Sequence, residues 1–196
     1  MNMINSLRLY AHYFKIQFRS AMEYKTSFIL TCIGQFLVSF NVFLGVFFMF
    51  KRFHSVSGYT YSEVMLCFGI TLMEFSLAEA VARGFDTFPS MISNGVFDRI
   101  MVRPRNEIFQ VLGQKIEFTR IGRMLQAIVM FSYGIAKSEV QWNVAKVFTV
   151  IFMLLGGAAV FAGIFLIYAA ICFFTLEGLE VMNILTDGAR EYGKYP

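Results

Sequence analysis

The chain has 196 residues, of which 57% are hydrophobic and only 15% charged, with 24 phenylalanines and a formal charge of +4 at pH 7. A soluble globular domain carries about a quarter charged residues, and a chain this apolar would expose aggregating patches in water. The apolar stretches are continuous, without the short alternation of a membrane β-barrel, which leaves an all-α class: a polytopic membrane helix bundle.

Residues 3–24, within an N-terminal segment 1–25, read as an amphipathic helix. Ile4, Leu7, Ala11, Phe14 and Phe18 recur at spacings of three and four, with Arg8, Lys15 and Arg19 mostly off that stripe. Such a helix lies in the headgroup plane, basic side toward anionic membrane lipid, and Tyr10, Tyr13 and Tyr24 suit that depth. The plainer reading is an inner extension of the first span. No cleavable signal is evident, because charges at Arg8, Lys15, Arg19, Glu23 and Lys25 interrupt any long apolar core. Residues 26–50 carry no charge and are long enough for a hydrocarbon core of about 30 Å. Lys51, Arg52 and His54 close this first span, and Ser57, Gly58 and Tyr59 make a short link.

The second span, 61–82, is less clean. Glu63 stands near its start, and Glu74 and Glu79 lie deeper. A carboxylate inside a span is expensive unless it pairs, protonates or faces water. Glu79 is four residues from Arg83, which favours a pair at that end. Glu74 has no local partner: it reads either as part of a polar path or as a structural hydrogen bond within the bundle.

The connection 83–116 and the start of the next span hold seven of the 17 Lys and Arg residues: Arg83, Arg99, Arg103, Arg105, Lys115, Arg120 and Arg123. Asp86 or Thr87 is expected to cap a short helix with Pro89 in its first turn, ended by Asn94-Gly95. Arg103-Pro104 turns the chain out of helix, and Asn106 caps a further helix with Glu107 at its positive end. The expectation is a short helix, an elbow and a second helix, more order than a bare linker needs.

A third span is expected over 117–135, with Arg120 and Arg123 snorkelling to the inner interface. The loop 136–146 holds Lys137, Glu139, Trp142 and Lys146, with Trp142 an interfacial anchor. The fourth span, 147–176, carries the small residues Gly156, Gly157, Ala158 and Ala159, with Gly163 four beyond Ala159; small faces let helices approach closely. Residues 177–196 are polar again and are expected in the cytoplasm. With both termini inside, 13 basic residues face the cytoplasm and four face outward, as the positive-inside rule requires.

The chemistry of a catalyst is missing. There is no GxxxxGK[ST] pattern for a nucleotide phosphate, and no HExxH, GxSxG or CxxC. His12 and His54 are far apart with no ligand pattern around them, and Cys32, Cys67 and Cys172 sit in apolar context as small hydrophobes. No catalytic or metal site is expected, and no cofactor bound directly. The positive charge suits loops facing anionic lipid, without the basic aromatic stripe that nucleic acid would need.

The loop run Gly95-Val96-Phe97-Asp98-Arg99-Ile100-Met101-Val102-Arg103-Pro104, followed by Phe109-Gln110-Val111-Leu112-Gly113, resembles the first cytoplasmic loop of the ABC-2 type permeases. It is closest to the small multidrug-type group, which carries G-x-x-D-x-x-x-x-R-P after the second span. Met22-Glu23-Tyr24-Lys25 and the ending Glu191-Tyr192-Gly193-Lys194-Tyr195-Pro196 are similar to that group too. The resemblance implies a permease subunit, an exporter by family analogy, in the cell inner membrane. It implies a second permease chain, as homodimer or heterodimer, and a separate ABC ATPase subunit that uses the ATP. Gly95, Asp98, Arg99, Arg103 and Pro104 would lie in or beside the coupling region. Members of the family usually continue through two further spans beyond the point where this chain stops. The competing reading is a small channel or ion-coupled carrier without an ATPase, in which Glu74 is the key residue; the elaborated, charged inner loop speaks against it.

Overall fold

The computed structural model describes residues 3–53, 58–138, 140–175 and 179–193, with the backbone alone for 3–7 and 179–183. His54, Ser57, Glu139, Glu177 and Lys194 lie outside the described residues, as do the side chains of Ile4 and Leu7. The described chain is helical almost throughout: α1 Met3–Glu23, α2 Lys25–Phe53, α3 Tyr61–Ala82, α4 Phe88–Ser93, α5 Val96–Met101, α6 Glu107–Leu112, α7 Ile121–Lys137, α8 Val144–Ile171 and α9 Leu179–Tyr192. Among the described residues, three helices are long and apolar enough to cross a membrane: α2, α3 with its continuation to Ser93, and α8.

The expected third span is realised differently. A 3-10 turn, Phe118–Arg120, precedes α7, which has 17 residues, or roughly 26 Å of helix at the ideal rise. The helix in this region therefore begins at residue 121, because residues 114–117 fold as an irregular connection, and it is not among the three helices long and apolar enough to cross. The fourth helix is likewise shifted from the expected 147–176, starting at Val144 and ending at Ile171. Asn143 caps its start, its side-chain oxygen accepting from the Val144 backbone N–H at 2.6 Å.

The core is organised on α3. It is buried on most sides, whereas α2 and α8 expose most of their residues. One apolar cluster joins Met65, Phe68 and Leu72 of α3 to Ala127 and Met130 of α7. The close crossing depends on glycine: a Cβ built on Gly69 would lie 2.9 Å from the Phe131 backbone nitrogen. Between helices in a membrane the alternative to these contacts is lipid and not water, so the crossing rests on close van der Waals packing at small residues. A second cluster ties the 83–116 connection to α8: Phe85, Phe88, Ile100 and Val111 pack with Phe161, Phe165 and Tyr168.

That connection is more built than a helix–elbow–helix. A 3-10 segment, Arg83–Thr87, runs straight into α4. The expected side-chain cap by Asp86 or Thr87 is not formed, because Thr87 keeps helical dihedrals (φ −85°, ψ −4°) between the 3-10 segment and α4, where a capping residue would be extended. Asp86 instead accepts from Arg83 Nε at 2.6 Å, and the Thr87 hydroxyl donates to the Gly84 carbonyl at 2.7 Å. Gly95 does supply the left-handed residue between α4 and α5, with φ 64°. The Asn106 cap is also present, Oδ1 accepting from the Phe109 N–H at 3.3 Å.

Helix α1 docks on the far side of this connection. The Gln17 side chain donates to the Gln114 carbonyl at 2.8 Å, and Phe14 and Phe18 both meet the Phe118 ring edge-on. The face so used is Tyr10–Tyr13–Gln17 with Phe14 and Phe18, while Ala11 of the predicted stripe is exposed. At the other terminus α9 leans back against α3, where Thr71 Oγ1 donates to the Gly193 carbonyl at 2.8 Å.

Gly69→Val is expected to lower stability by about 1–3 kcal/mol through overpacking, whereas Gly163→Ala, where a Cβ meets nothing within 4 Å, should match or exceed the parent. Thermal unfolding in detergent checks the pair, and equal melting temperatures would contradict the α3–α7 crossing.

Candidate functional site

Two carboxylates on α3 have different surroundings. Glu79 is 2% exposed and stands one turn from the end of the helix. Arg83 and Arg123 both bond its carboxylate, and Arg120 Nε approaches Oε2 at 3.5 Å. Gln35 of α2 joins them: its side-chain oxygen accepts from Arg120 and from Arg123, each at 3.1 Å. The Arg123 guanidinium also lies 5.5 Å from the centre of the Phe75 ring, within cation–π range.

The sequence places Glu79 with Arg83, and the structure bears that out. It corrects the expectation for Arg120 and Arg123, whose side chains are 12% and 11% exposed and turn inward instead of snorkelling. The physical reason is depth. Helices α3 and α7 run antiparallel, with Arg123 the third residue of α7 and Glu79 the fourth from the end of α3. A buried carboxylate then lies level with two guanidiniums whose alternative is the interface. That register was a usable signal, but Gln35 gave none beyond being polar within an uncharged stretch.

The rim of the cluster carries the rest of the charge. Lys115 pairs with Glu117 at 2.8 Å, and Glu117 lies 3.7 Å from Arg120. The cluster joins the first residue of the connection to those at its end, so both feet of the excursion are held at one point. A Cβ at Gly84 would sit 2.7 Å from the carbonyl oxygens of Val111 and Leu112; only glycine admits that approach between the first turn and α6.

The far edge of the connection is exposed. Asp98, Arg99, Arg103, Pro104 and Arg105 are open, with Met101 and Val102 at 53% and 82% exposure. Gly95 is half-buried at the hinge of α4 and α5. The structure thus brings Asp98, Arg99, Arg103 and Pro104 to one basic, partly apolar rim. Behind it, Phe97 meets Phe88 and Phe173 edge-on at 4.9 and 5.5 Å. The Asp98 side chain makes no hydrogen bond or ion pair among the described residues, although its backbone carbonyl accepts from the Val102 N–H at 3.4 Å.

Glu74 is half-buried in the middle of α3, at the seam with α8. Among the described residues its carboxylate has no hydrogen bond or ion pair. It lies against Gly157, where an added Cβ would collide with it. The small patch on α8 therefore serves the carboxylate, while Gly163 faces open space. Among the described residues there is no group of acidic, histidine and cysteine side chains able to hold a metal ion.

A family model described as "ABC-2 family transporter protein" matches residues 36–196. No curated protein and no solved structure matches the chain.

Glu79→Gln is expected to cost about 3–5 kcal/mol, since it leaves buried guanidiniums without their counter-charge. Glu107→Gln, on the exposed first turn of α6, should stay within about 0.5 kcal/mol. Unfolding midpoints of the two purified variants measure the contrast; a Glu79→Gln protein as stable as the parent would remove Glu79 as the centre of the cluster.

Proposed function

Because this chain belongs to the ABC-2 family of transporter proteins, we propose that it is the membrane-spanning permease subunit of an ATP-driven exporter. It works with a second permease chain and a separate ATPase subunit that binds and hydrolyses the ATP. Its place is the cell inner membrane, with α7 as a short fourth crossing between α3 and α8, and α1 lying along the inner interface. Both termini and the 83–116 connection face the cytoplasm, a reading supported by the 13-to-4 distribution of basic residues.

The observation that carries this proposal is the pairing of an exposed basic rim with a rigid mount. Arg99, Arg103 and Pro104 stand on a unit packed against α8 and pinned through Glu79 to α3 and α7. A slack loop would absorb the ATPase's displacement, whereas a packed unit with one arrangement passes it on to the helices. Arg99 and Arg103 supply planar donor forks for carboxylates of the ATPase. Pro104 fixes its own φ and restricts Arg103, which holds the elbow. Asp98, level with the arginines and unpaired, completes a rim with both signs of charge.

In a reconstituted complex with the ATPase, Arg99→Ala and Pro104→Gly are expected to leave insertion unchanged and to lower transport per ATP hydrolysed by about fivefold or more. Arg99→Lys keeps the charge but not the fork; full activity in it would assign Arg99 a purely electrostatic role. Wild-type coupling in both Arg99→Ala and Pro104→Gly would remove the coupling assignment. Topology is read separately by cysteine labelling in a background without Cys32, Cys67 and Cys172. Label added from outside should reach Ser138→Cys and spare Ser90→Cys and Gly188→Cys, and outside labelling at 90 would invert the orientation.

A further inference from the structure

The end of the bundle opposite the 83–116 connection carries a groove that the coupling mechanism does not use. It encloses about 250 Å³ between α3, α7 and α8, walled by Leu66, Ile70, Phe131, Trp142, Thr149 and Val150. Two glycines set its walls. A Cβ on Gly69 would lie 2.9 Å from the Phe131 backbone nitrogen, and one on Gly134 would lie 2.8 Å from Leu66 Cγ. The close α3–α7 crossing that they permit therefore holds Leu66 and Phe131 in place, and the Trp142 ring meets Phe131 edge-on at 6.3 Å.

The groove is polarised along its length. Lys146 is the third residue of α8, and Trp142 stands just before that helix. Helices α3 and α8 both start at this end, so Ile70 and Val150 lie one turn deeper than Leu66 and Lys146. Lys146 is the only charged side chain in the lining. One of its ammonium donors bonds the Gln141 carbonyl at 2.7 Å, and the others remain for a second acceptor. The Thr149 hydroxyl on the wall already donates to the Ala145 carbonyl at 3.0 Å. The start of α8 adds the partial positive charge of a helix N-terminus. In the stretches that close this end, four basic residues, Lys51, Arg52, Lys137 and Lys146, outnumber two acidic ones, Glu63 and Glu139.

From this geometry we infer that the groove is a binding site for an anionic phospholipid, with one acyl chain along the apolar walls and the headgroup phosphate on Lys146. The order matches: the charge stands at the helix end and the apolar walls run inward, as headgroup and chain do in a leaflet. A cation would meet Lys146 directly, and a neutral apolar molecule would leave the ammonium unanswered. Acyl chains are as apolar as the groove, so seating the chain hardly favours one lipid over another; the headgroup charge makes the choice. The inference needs the bundle to sit in a membrane, and nothing of the ATPase or of transport.

Trp142 is the sole tryptophan and lines the groove, so its emission reports the lipid lodged there. The full chain, without ATPase, is reconstituted in liposomes of phosphatidylcholine and phosphatidylglycerol, in which one lipid at a time carries brominated chains that quench a neighbouring indole. Quenching against mole fraction should give phosphatidylglycerol a preference of about fivefold at the groove, the effect of one interfacial cation. Lys146→Gln should remove the preference and Lys146→Arg should keep it. Lys51→Gln, which takes one charge from the end of α2, should leave it near the parent. Equal quenching by both lipids in the parent overturns the inference, as does an unchanged preference in Lys146→Gln. A preference lowered as much by Lys51→Gln also overturns it, by making the selectivity a property of the whole charged end. Absence of quenching by either lipid overturns it too, since protein and not lipid would then fill the groove. If Lys146→Gln fails to fold by circular dichroism, Val150→Phe decides: it narrows the groove and should lower quenching by both lipids, and unchanged quenching overturns the site.

Discussion

Glu79 and the three arginines around it set the geometry of the end of the bundle where α3 leaves and α7 enters. Charges buried this deeply are expensive to dehydrate, and the expense is offset only when each finds a well-placed opposite charge. The carboxylate is fixed by α3, Arg83 by the turn that leaves α3, and Arg120 and Arg123 by the entrance to α7. Satisfying one group thus fixes the relative depth of two antiparallel helices and closes the connection between them. Gln35 extends the same requirement to α2.

With its feet fixed, the connection is free to present its far edge. The aromatic contacts among Phe88, Phe97 and Phe173 and the burial of Ile100 and Val111 hold that edge against α8. Helix α1 packs on the opposite side through Gln17 and the Phe118 ring. The rim of Arg99, Arg103 and Pro104, without side-chain partners among the described residues, stands on that mount; this is the feature on which the proposed coupling role rests.

The two deep acids of α3 show how position on a helix divides roles. Glu79 faces α7 and the arginines, and its charge is consumed by structure. Glu74 faces the Gly157 notch of α8, where no charge among the described residues answers it. A carboxylate in the middle of an apolar seam is costly against lipid unless it pairs, protonates or meets water.

The sequence alone determined the class, the order of the apolar helices, the basic connection and part of its turn chemistry. Those depend on local features: long uncharged runs such as 26–50, the left-handed Gly95, the Asn106 cap and the spacing of Glu79 and Arg83. It also supplied the loop motif, because G-x-x-D-x-x-x-x-R-P is contiguous. Tertiary structure alone decided where Arg120 and Arg123 point, since the choice between interface and interior depends on the register of α7 against α3. It alone brought Gly157 to Glu74 across 83 residues of sequence, and turned the α1 face toward the loop. It replaced the Asp86 or Thr87 cap with a 3-10 turn continuous with α4, because Thr87 stays helical where a capping residue would be extended. Each of these is a choice among partners that are equally good locally, and only the packed helices remove the alternatives.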